Sequence, residues 1–217
     1  MSNKDTLSAQ RLDYEIGQLT EDNMLKDPIE QFKLWLNEAM QTDIVEPNAM
    51  NLATSSKDGV LSSRVVLLKQ VDERGFVFFT NYESNKGQDI EDSKQVALCF
   101  WWGSLHRQVR IQGKVEKVSA QESDEYFDSR PRGSRIGAIA SKQSAVLTSY
   151  QELADRVTEL EKQYADAEQV QRPKNWGGYL VVPEMIEFWQ GRPSRLHDRL
   201  RYSGVAGGQW CVERLSP

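Results

Sequence analysis

The spacing of apolar residues changes character along the chain. Over residues 27–40 it is helical, with Ile29, Phe32, Leu36 and Met40 on one face. Asp27 predicts the N-cap, Pro28 suits the first turn, and Glu30 extends the pattern toward a capping box. From Met50 the period shortens. Residues 50–54, 61–68, 76–80, 96–102 and 108–118 are β-rich runs, punctuated by turn sequences at 57–59 and 72–75. Short strands joined by short turns predict an antiparallel sheet that curls into a barrel. Helices then intervene. Ser119 with Glu122 opens one that must stop before Pro131, and Ser149 with Glu152 opens another. The second carries a stripe of Leu153, Val157, Leu160 and Tyr164, expected to pack on the core rather than on a partner. Residues 178–182, 186–190 and 210–215 return to strand character. The expectation is a mainly β fold with flanking helices: a polar segment over 1–26, flexible at its start, then a single domain over 27–217.

Composition narrows the function classes. A chain of 217 residues buries roughly 70% of its unfolded surface and needs no disulfide or metal staple. No apolar run approaches the roughly 20 residues that cross a bilayer, so no membrane span is expected. The first ten residues lack the apolar core of a secretory signal, and a cytoplasmic location follows as the expectation. Cys99 and Cys211 read as free thiols, and His106 and His197 lie too far apart in sequence to suggest a metal site. A net charge of −5 argues against a nucleic-acid surface. One local exception is the run holding Arg192, Arg195, His197, Arg199 and Arg201, which suits either a small anionic ligand or a solvated charged face.

Three further clusters place anion-binding groups at strand ends and in loops: Arg64 with Lys69; Thr80, Ser84 and Lys86; and Arg130, Arg132 and Ser134 around Pro131. No P-loop, Gly-rich dinucleotide fingerprint or Gly-x-Ser-x-Gly elbow accompanies them. From the residues alone the reading is a barrel with phosphate-sized anion sites, and it does not reach a redox cofactor.

The ordered segments RVVLLK (64–69), FFTN (78–81), RQVRIQG (107–113), YFDSRPRGS (126–134), SKQS (141–144), IEFWQG (186–191) and RLHDR (195–199) resemble the pyridoxine/pyridoxamine 5′-phosphate oxidase family, from about Arg11 to the terminus. The resemblance implies an FMN-binding split β-barrel over 27–217 and a homodimer with two active sites at its interface. It implies FMN contacts from Arg64, Val65, Val66, Leu67, Leu68, Lys69, Phe79, Thr80, Asn85, Lys86, Gln108, Gln143, Ser144, Trp189 and Arg199, some of them from the partner chain. Substrate contacts would come from Lys69, Tyr126, Arg130 and Ser134 at the phosphate, and from Arg195, Leu196 and His197 at the ring, with Arg195 and His197 as the catalytic pair. Arg11 and Tyr14 match a segment that can fold over the site. Asn85 stands where many relatives carry Arg, and Glu46 where an Asp is also found. The implied reaction oxidises pyridoxine 5′-phosphate or pyridoxamine 5′-phosphate to pyridoxal 5′-phosphate with O2 as acceptor, giving hydrogen peroxide and, from the amine, ammonia. Two alternatives stay open: a related flavin oxidase of the phenazine type, and a non-catalytic protein that binds FMN or pyridoxal phosphate. Trp189 and Phe188 also read as plain core, and Tyr126 as a packing residue of its helix.

Overall fold

The computed structural model describes residues 17–165, 169–205 and 208–217. Arg11 and Tyr14 lie outside the described residues. Among those described, the order is α1 (Pro28–Met40), β1 (Ala49–Ser55), β2 (Leu61–Leu67), β3 (Gln70–Asp72), β4 (Gly75–Asn81), α2 (Asn85–Ser93), β5 (Gln95–Trp102), β6 (Arg107–Lys117), α3 (Ala120–Ser129), α4 (Arg132–Ala140), α5 (Tyr150–Gln163), β7 (Trp176–Gln190), β8 (Asp198–Val205) and β9 (Gln209–Arg214). The fold is mainly β with flanking helices, as the alternation of apolar positions predicts.

The described residues divide into two compact units, one of those within 17–48, 99–111 and 184–217, the other of those within 49–98 and 112–183. The strands run in the order β2-β1-β5-β6-β7-β4-β3. The pairs β1–β2, β3–β4 and β4–β7 are antiparallel, with Met50 opposite Val66 and Phe78 opposite Tyr179. Alternation is clear in β1, where Met50, Leu52 and Thr54 turn inward. In β4, Phe76, Val77 and Phe78 are all buried, so this strand is covered on both faces. A second cluster of Phe127, Ile136, Val170 and Trp176 receives Val157, Leu160 and Tyr164 from the stripe of α5 and its C-terminal end. That stripe therefore packs on the core. Each such apolar side chain contributes roughly 1.5–3 kcal/mol when fully buried.

In the first unit β8 pairs with β7 and β9 with β8, both antiparallel. Phe32 of α1 sits 4.9 Å from Phe100 between ring centroids, and Trp35 meets Phe188 edge-on at 5.2 Å. Phe188 is fully buried, so the core reading holds for it.

Caps place the helices where the sequence predicts. Asp27 accepts from Ile29 N, and Ser119 and Glu122 form a complete reciprocal box. Glu30 departs from its expected capping role: its carboxylate accepts from Lys33 Nζ at 2.8 Å instead, the i,i+3 pair being within easier reach. The two runs expected at 178–182 and 186–190 form one strand, β7. Pro183 does not break it because residue 183 falls between the ladder to β4, which ends at Val181, and the ladder to β8, which begins at Met185.

Gly75 closes the β3–β4 turn at φ 143°, and a Cβ there would lie 2.1 Å from the Val181 carbonyl oxygen. The Gly75→Ala variant combines a left-handed backbone with a collision against backbone, so it should lose about 2 kcal/mol or more of stability. The drop in the denaturant midpoint measures it, and an unchanged midpoint would contradict the argument.

Candidate functional site

One cavity of about 790 Å³ opens in the second unit. Its size suits a cofactor-sized ligand. Arg64, Val65, Val66, Leu67 and Lys69 line it from β2 and the chain just beyond, Phe79 and Thr80 from β4, and Lys86 from the first turn of α2. Tyr126, Arg130, Ser134 and Gln143 complete the sequence-derived part of the wall, and Trp176, which the sequence reading did not single out, joins them. Four cations thus face one space whose described lining includes no Asp or Glu, on a chain of net charge −5.

Lys86 is at the centre of this arrangement. It is only 9% exposed. Its Nζ donates to Gln143 Oε1 at 3.0 Å, Thr80 Oγ1 at 3.3 Å and Ser84 Oγ at 3.4 Å. These oxygens are neutral. Desolvation, and then the nearby charge of Arg64, push the Lys86 pKa below its ordinary value. Arg64 is held by the Leu52 carbonyl at 3.1 Å and by Thr54 Oγ1 at 2.8 Å, while Thr54 in turn donates to Asp89. Ser84 caps α2 by accepting from Gly87 N, which directs the positive end of the helix dipole toward the same region.

Across the lining, Tyr126 stacks on Phe79 with centroids 3.9 Å apart, and Phe79 stacks on Trp176 at 5.6 Å. The Arg130 guanidinium lies 4.6 Å over the Trp176 ring. Burial lowers the Arg130 pKa, and its Nη1 is buried without a hydrogen-bond partner. Tyr126 therefore serves both readings: it packs its helix against β4 and faces the cavity. An orphaned guanidinium nitrogen beside Lys69, Ser134 and an aromatic wall fits a phosphate ester on an aromatic ligand.

The remaining sequence-derived residues are placed as follows. Leu68 is 5% exposed and turns into the core, away from the cavity lining. Asn85 is exposed, and its backbone N–H donates to Ser144 Oγ, with Ser144 itself at φ 73°. Gln108, Trp189, Arg195, Leu196, His197 and Arg199 belong to the first unit. There Trp189 pairs in register with Arg199, and the His197 ring lies 4.6 Å from that of Trp189. Arg195 and Leu196 are exposed on the loop between β7 and β8.

Sequence reading passed over Glu187. It is 4% exposed, and its two oxygens meet Arg199 Nε at 2.9 Å and Arg110 Nη1 at 3.2 Å. A carboxylate buried between two guanidinium groups fixes Arg199 against the sheet. The signal was present in IEFWQG, as a charged residue between apolar neighbours in a strand.

Comparison with known proteins agrees with this geometry. Residues 36–164 match the family model described as pyridoxamine 5′-phosphate oxidase, and residues 176–217 match a pyridoxine 5′-phosphate oxidase C-terminal dimerisation region. The chain belongs to the pyridoxamine 5′-phosphate oxidase family and has its split-barrel fold. It is 56% identical over 207 residues to a pyridoxine/pyridoxamine 5′-phosphate oxidase of Thermosynechococcus vestitus, covering 95% of this chain and 97% of that one. It is 54% identical over 214 residues to the protein of the same name from Burkholderia cenocepacia, with 98% and 99% covered. Among solved structures, PhzG of Burkholderia lata in complex with tetrahydrophenazine-1-carboxylic acid superposes with a TM-score of 0.86 at 31% identity, over 93% of this chain and 99% of that one. An FMN-binding, pyridoxamine 5′-phosphate oxidase-related protein of Nostoc punctiforme matches in fold, with a TM-score of 0.71 at 14% identity, over 89% and 100%. No described helix is long and apolar enough to cross a membrane.

A cation cluster whose described lining holds no carboxylate should respond to anions. Inorganic phosphate is expected to raise the melting temperature, with about 1.4 kcal/mol gained at ten times its dissociation constant. The Lys86→Met variant should melt higher than the parent without phosphate and respond less to it. A phosphate response equal to that of the parent would show that Lys86 does not face the anion.

Proposed function

We propose that this chain is an FMN-dependent oxidase that converts pyridoxine 5′-phosphate or pyridoxamine 5′-phosphate to pyridoxal 5′-phosphate, with O2 as electron acceptor and hydrogen peroxide as product. The observation that carries the reading is the carboxylate-free cavity with its four cations, buried Lys86 and orphaned Arg130 nitrogen. One phosphate leaves such a set in excess, and two phosphates, one from cofactor and one from substrate, match it. The relatives that share more than half their residues with this chain carry the same activity in their names. The phenazine-type alternative has the lower identity of 31%, and this chain retains Lys69, Tyr126, Arg130 and Ser134 together on one cavity.

Arg64, Lys86, Thr80 and Gln143 would hold the FMN phosphate and Val65, Val66 and Leu67 its ring system, with Asn85 and Ser144 at the rim. Bound FMN supplies the acceptor for the hydride equivalent taken from substrate C4′. Lys69, Tyr126, Arg130 and Ser134 would anchor the substrate phosphate and so fix where C4′ sits. Positioning of this kind can lower a barrier by roughly 7–11 kcal/mol. Arg195 and His197 would meet the pyridine ring, and Leu196 between them would shield it from water. Gln108, Trp189 and Arg199 would complete the cofactor site. The matched dimerisation region supports a homodimer, with active sites at its interface built from both subunits. Its operation in the cytoplasm belongs to the same proposal.

The test is an absorption spectrum of the purified protein, then peroxide production. A flavin spectrum at about one FMN per chain is expected, as for an ordinary single site. Pyridoxine 5′-phosphate should far outpace unphosphorylated pyridoxine in kcat/KM, because the anchor acts on binding and on the barrier together. Arg195→Leu should lower the rate and keep the flavin. Equal rates with and without the phosphate would sink the anchor assignment, and a flavin-loaded protein that makes no peroxide from either phosphorylated substrate would favour the binding-protein reading.

A further inference from the structure

Arg64 enters the cavity wall from β2 with one end of its guanidinium already committed. In the β1–β2 ladder it stands opposite Leu52. Its Nη1 turns back across that ladder and donates to the Leu52 carbonyl at 3.1 Å and to Thr54 Oγ1 at 2.8 Å. Nη1 carries two hydrogens, and these two bonds use both. Arg64 lines the cavity, and the three N–H groups on Nε and Nη2 remain for a ligand there.

The Thr54 side chain is the middle of a longer chain of bonds. Thr54 is 2% exposed, so its hydroxyl is satisfied by protein. A guanidinium can only donate, so Thr54 accepts from Arg64 and has its own single proton to give. That proton goes to Asp89 Oδ2 at 2.6 Å, the length of a bond assisted by a negative charge. An ionised carboxylate can only accept, so neither bond can reverse. Asp89 stands on α2, three residues after Lys86. The helix that presents the buried ammonium group therefore also holds the guanidinium on β2. Burial lowers the Arg64 pKa, and the Asp89 charge opposes that shift.

The hydroxyl between the two charges has a consequence. A carboxylate in direct contact competes with a ligand for the same N–H groups, as Glu187 does by taking Nε of Arg199 at 2.9 Å. Acting through Thr54, Asp89 reaches Arg64 from outside the described cavity lining. We propose that Thr54 and Asp89 are positioning residues for a phosphate monoester: together they brace Arg64 in one orientation without offering the ligand a competing carboxylate. That this monoester is the FMN phosphate rests on the proposed oxidase function; the brace belongs to the chain itself.

Titration of flavin-free, full-length protein with FMN tests the brace, at about 0.15 M salt, where charges are screened beyond about 8 Å. Thr54→Val keeps the branched shape and removes the hydroxyl. It should weaken FMN binding roughly tenfold, as for part of one hydrogen bond to a charged group. Thr54→Ser restores the hydroxyl and should bind as the parent does. Asp89→Ala is read by its sign. A carboxylate that merely placed negative charge behind the cations would, on removal, tighten FMN binding; one that orients Arg64 must, on removal, weaken it. In an Arg64→Leu background Thr54→Val and Asp89→Ala should both lose their effect, because nothing is left to orient. Tighter binding by Asp89→Ala, a serine variant as weak as the valine one, or losses that persist undiminished in Arg64→Leu would overturn the proposal. The last pattern is the one a purely structural role of Thr54 gives. A parent protein that takes up no FMN would count against the proposed function instead. The same variants, ranked by the rise in melting temperature that inorganic phosphate produces, would then decide the brace by the same order.

Discussion

Lys86 is an ammonium group taken out of water among oxygen atoms that carry no charge, and much of the local structure follows from placing it there. Three segments must converge for its bonds to form: the end of β4 brings Thr80, the cap of α2 brings Ser84, and the chain after α4 brings Gln143. The helix can approach β4 closely only because residue 87 is glycine; a Cβ there would lie 2.1 Å from the Tyr82 carbonyl oxygen. Ser84 satisfies the helix terminus and the lysine together. A cation held in this way costs stability in the ligand-free chain, because neither its hydration nor a counter-charge is restored. An anion entering the cavity returns that energy, so ligand retention and fold stability are linked.

The contrast with the first unit sharpens the argument. The run from Arg192 to Arg201 is the densest cationic stretch of the sequence, yet most of its charge is answered at home. Arg192 pairs with Asp198, Arg199 with Glu187 and Arg201 with Glu213. The cavity of the second unit has fewer arginines and more uncompensated charge. Density along the chain is thus a poor guide to the field a ligand meets; what decides it is which carboxylates the fold brings alongside. Exposed pairs such as Arg201–Glu213 contribute little to stability, on the order of 0–1 kcal/mol. Glu187 differs because it is buried, and it sets the direction of Arg199.

How far the sequence could be read depended on how local the determining interaction was. Helix starts at Asp27, Ser119 and Ser149 were legible because the cap and its partner lie within three residues of each other. Strands with clean alternation, such as β1, were legible for the same reason. β8 was hidden, since Arg199 and Arg201 stood out as part of a cationic run, and their pairing across a ladder to β7 is not visible along the chain. α2 looked like a loop because Ile90 is the one large apolar residue that it buries. At the site, resemblance supplied which residues to examine, and Arg64, Lys69, Lys86, Tyr126, Arg130, Ser134 and Gln143 do line one cavity. Physical reasoning from the residues had reached anion sites and no further. Glu187 escaped because its partners are far away along the chain and become visible only when β7 and β8 are paired.

The same electrostatics gives the cavity a pH dependence with a definite sign. Burial lowers the folded-state pKa of Lys86, so the unfolded chain binds a proton there more readily than the folded one. Its charge is therefore a burden on the folded state at all pH values below the folded pKa. The burden lifts as pH rises through the folded value toward the unfolded one of about 10.4. An anion reverses the preference by favouring the charged form. With ligand bound, the pKa of Lys86 rises, and stability gained from the pair is lost, not won, as the solution becomes alkaline. Ligand-free and ligand-bound protein should thus diverge in stability at neutral pH and converge as Lys86 gives up its proton. That convergence ties an anionic ligand's hold on the protein to one buried ammonium group.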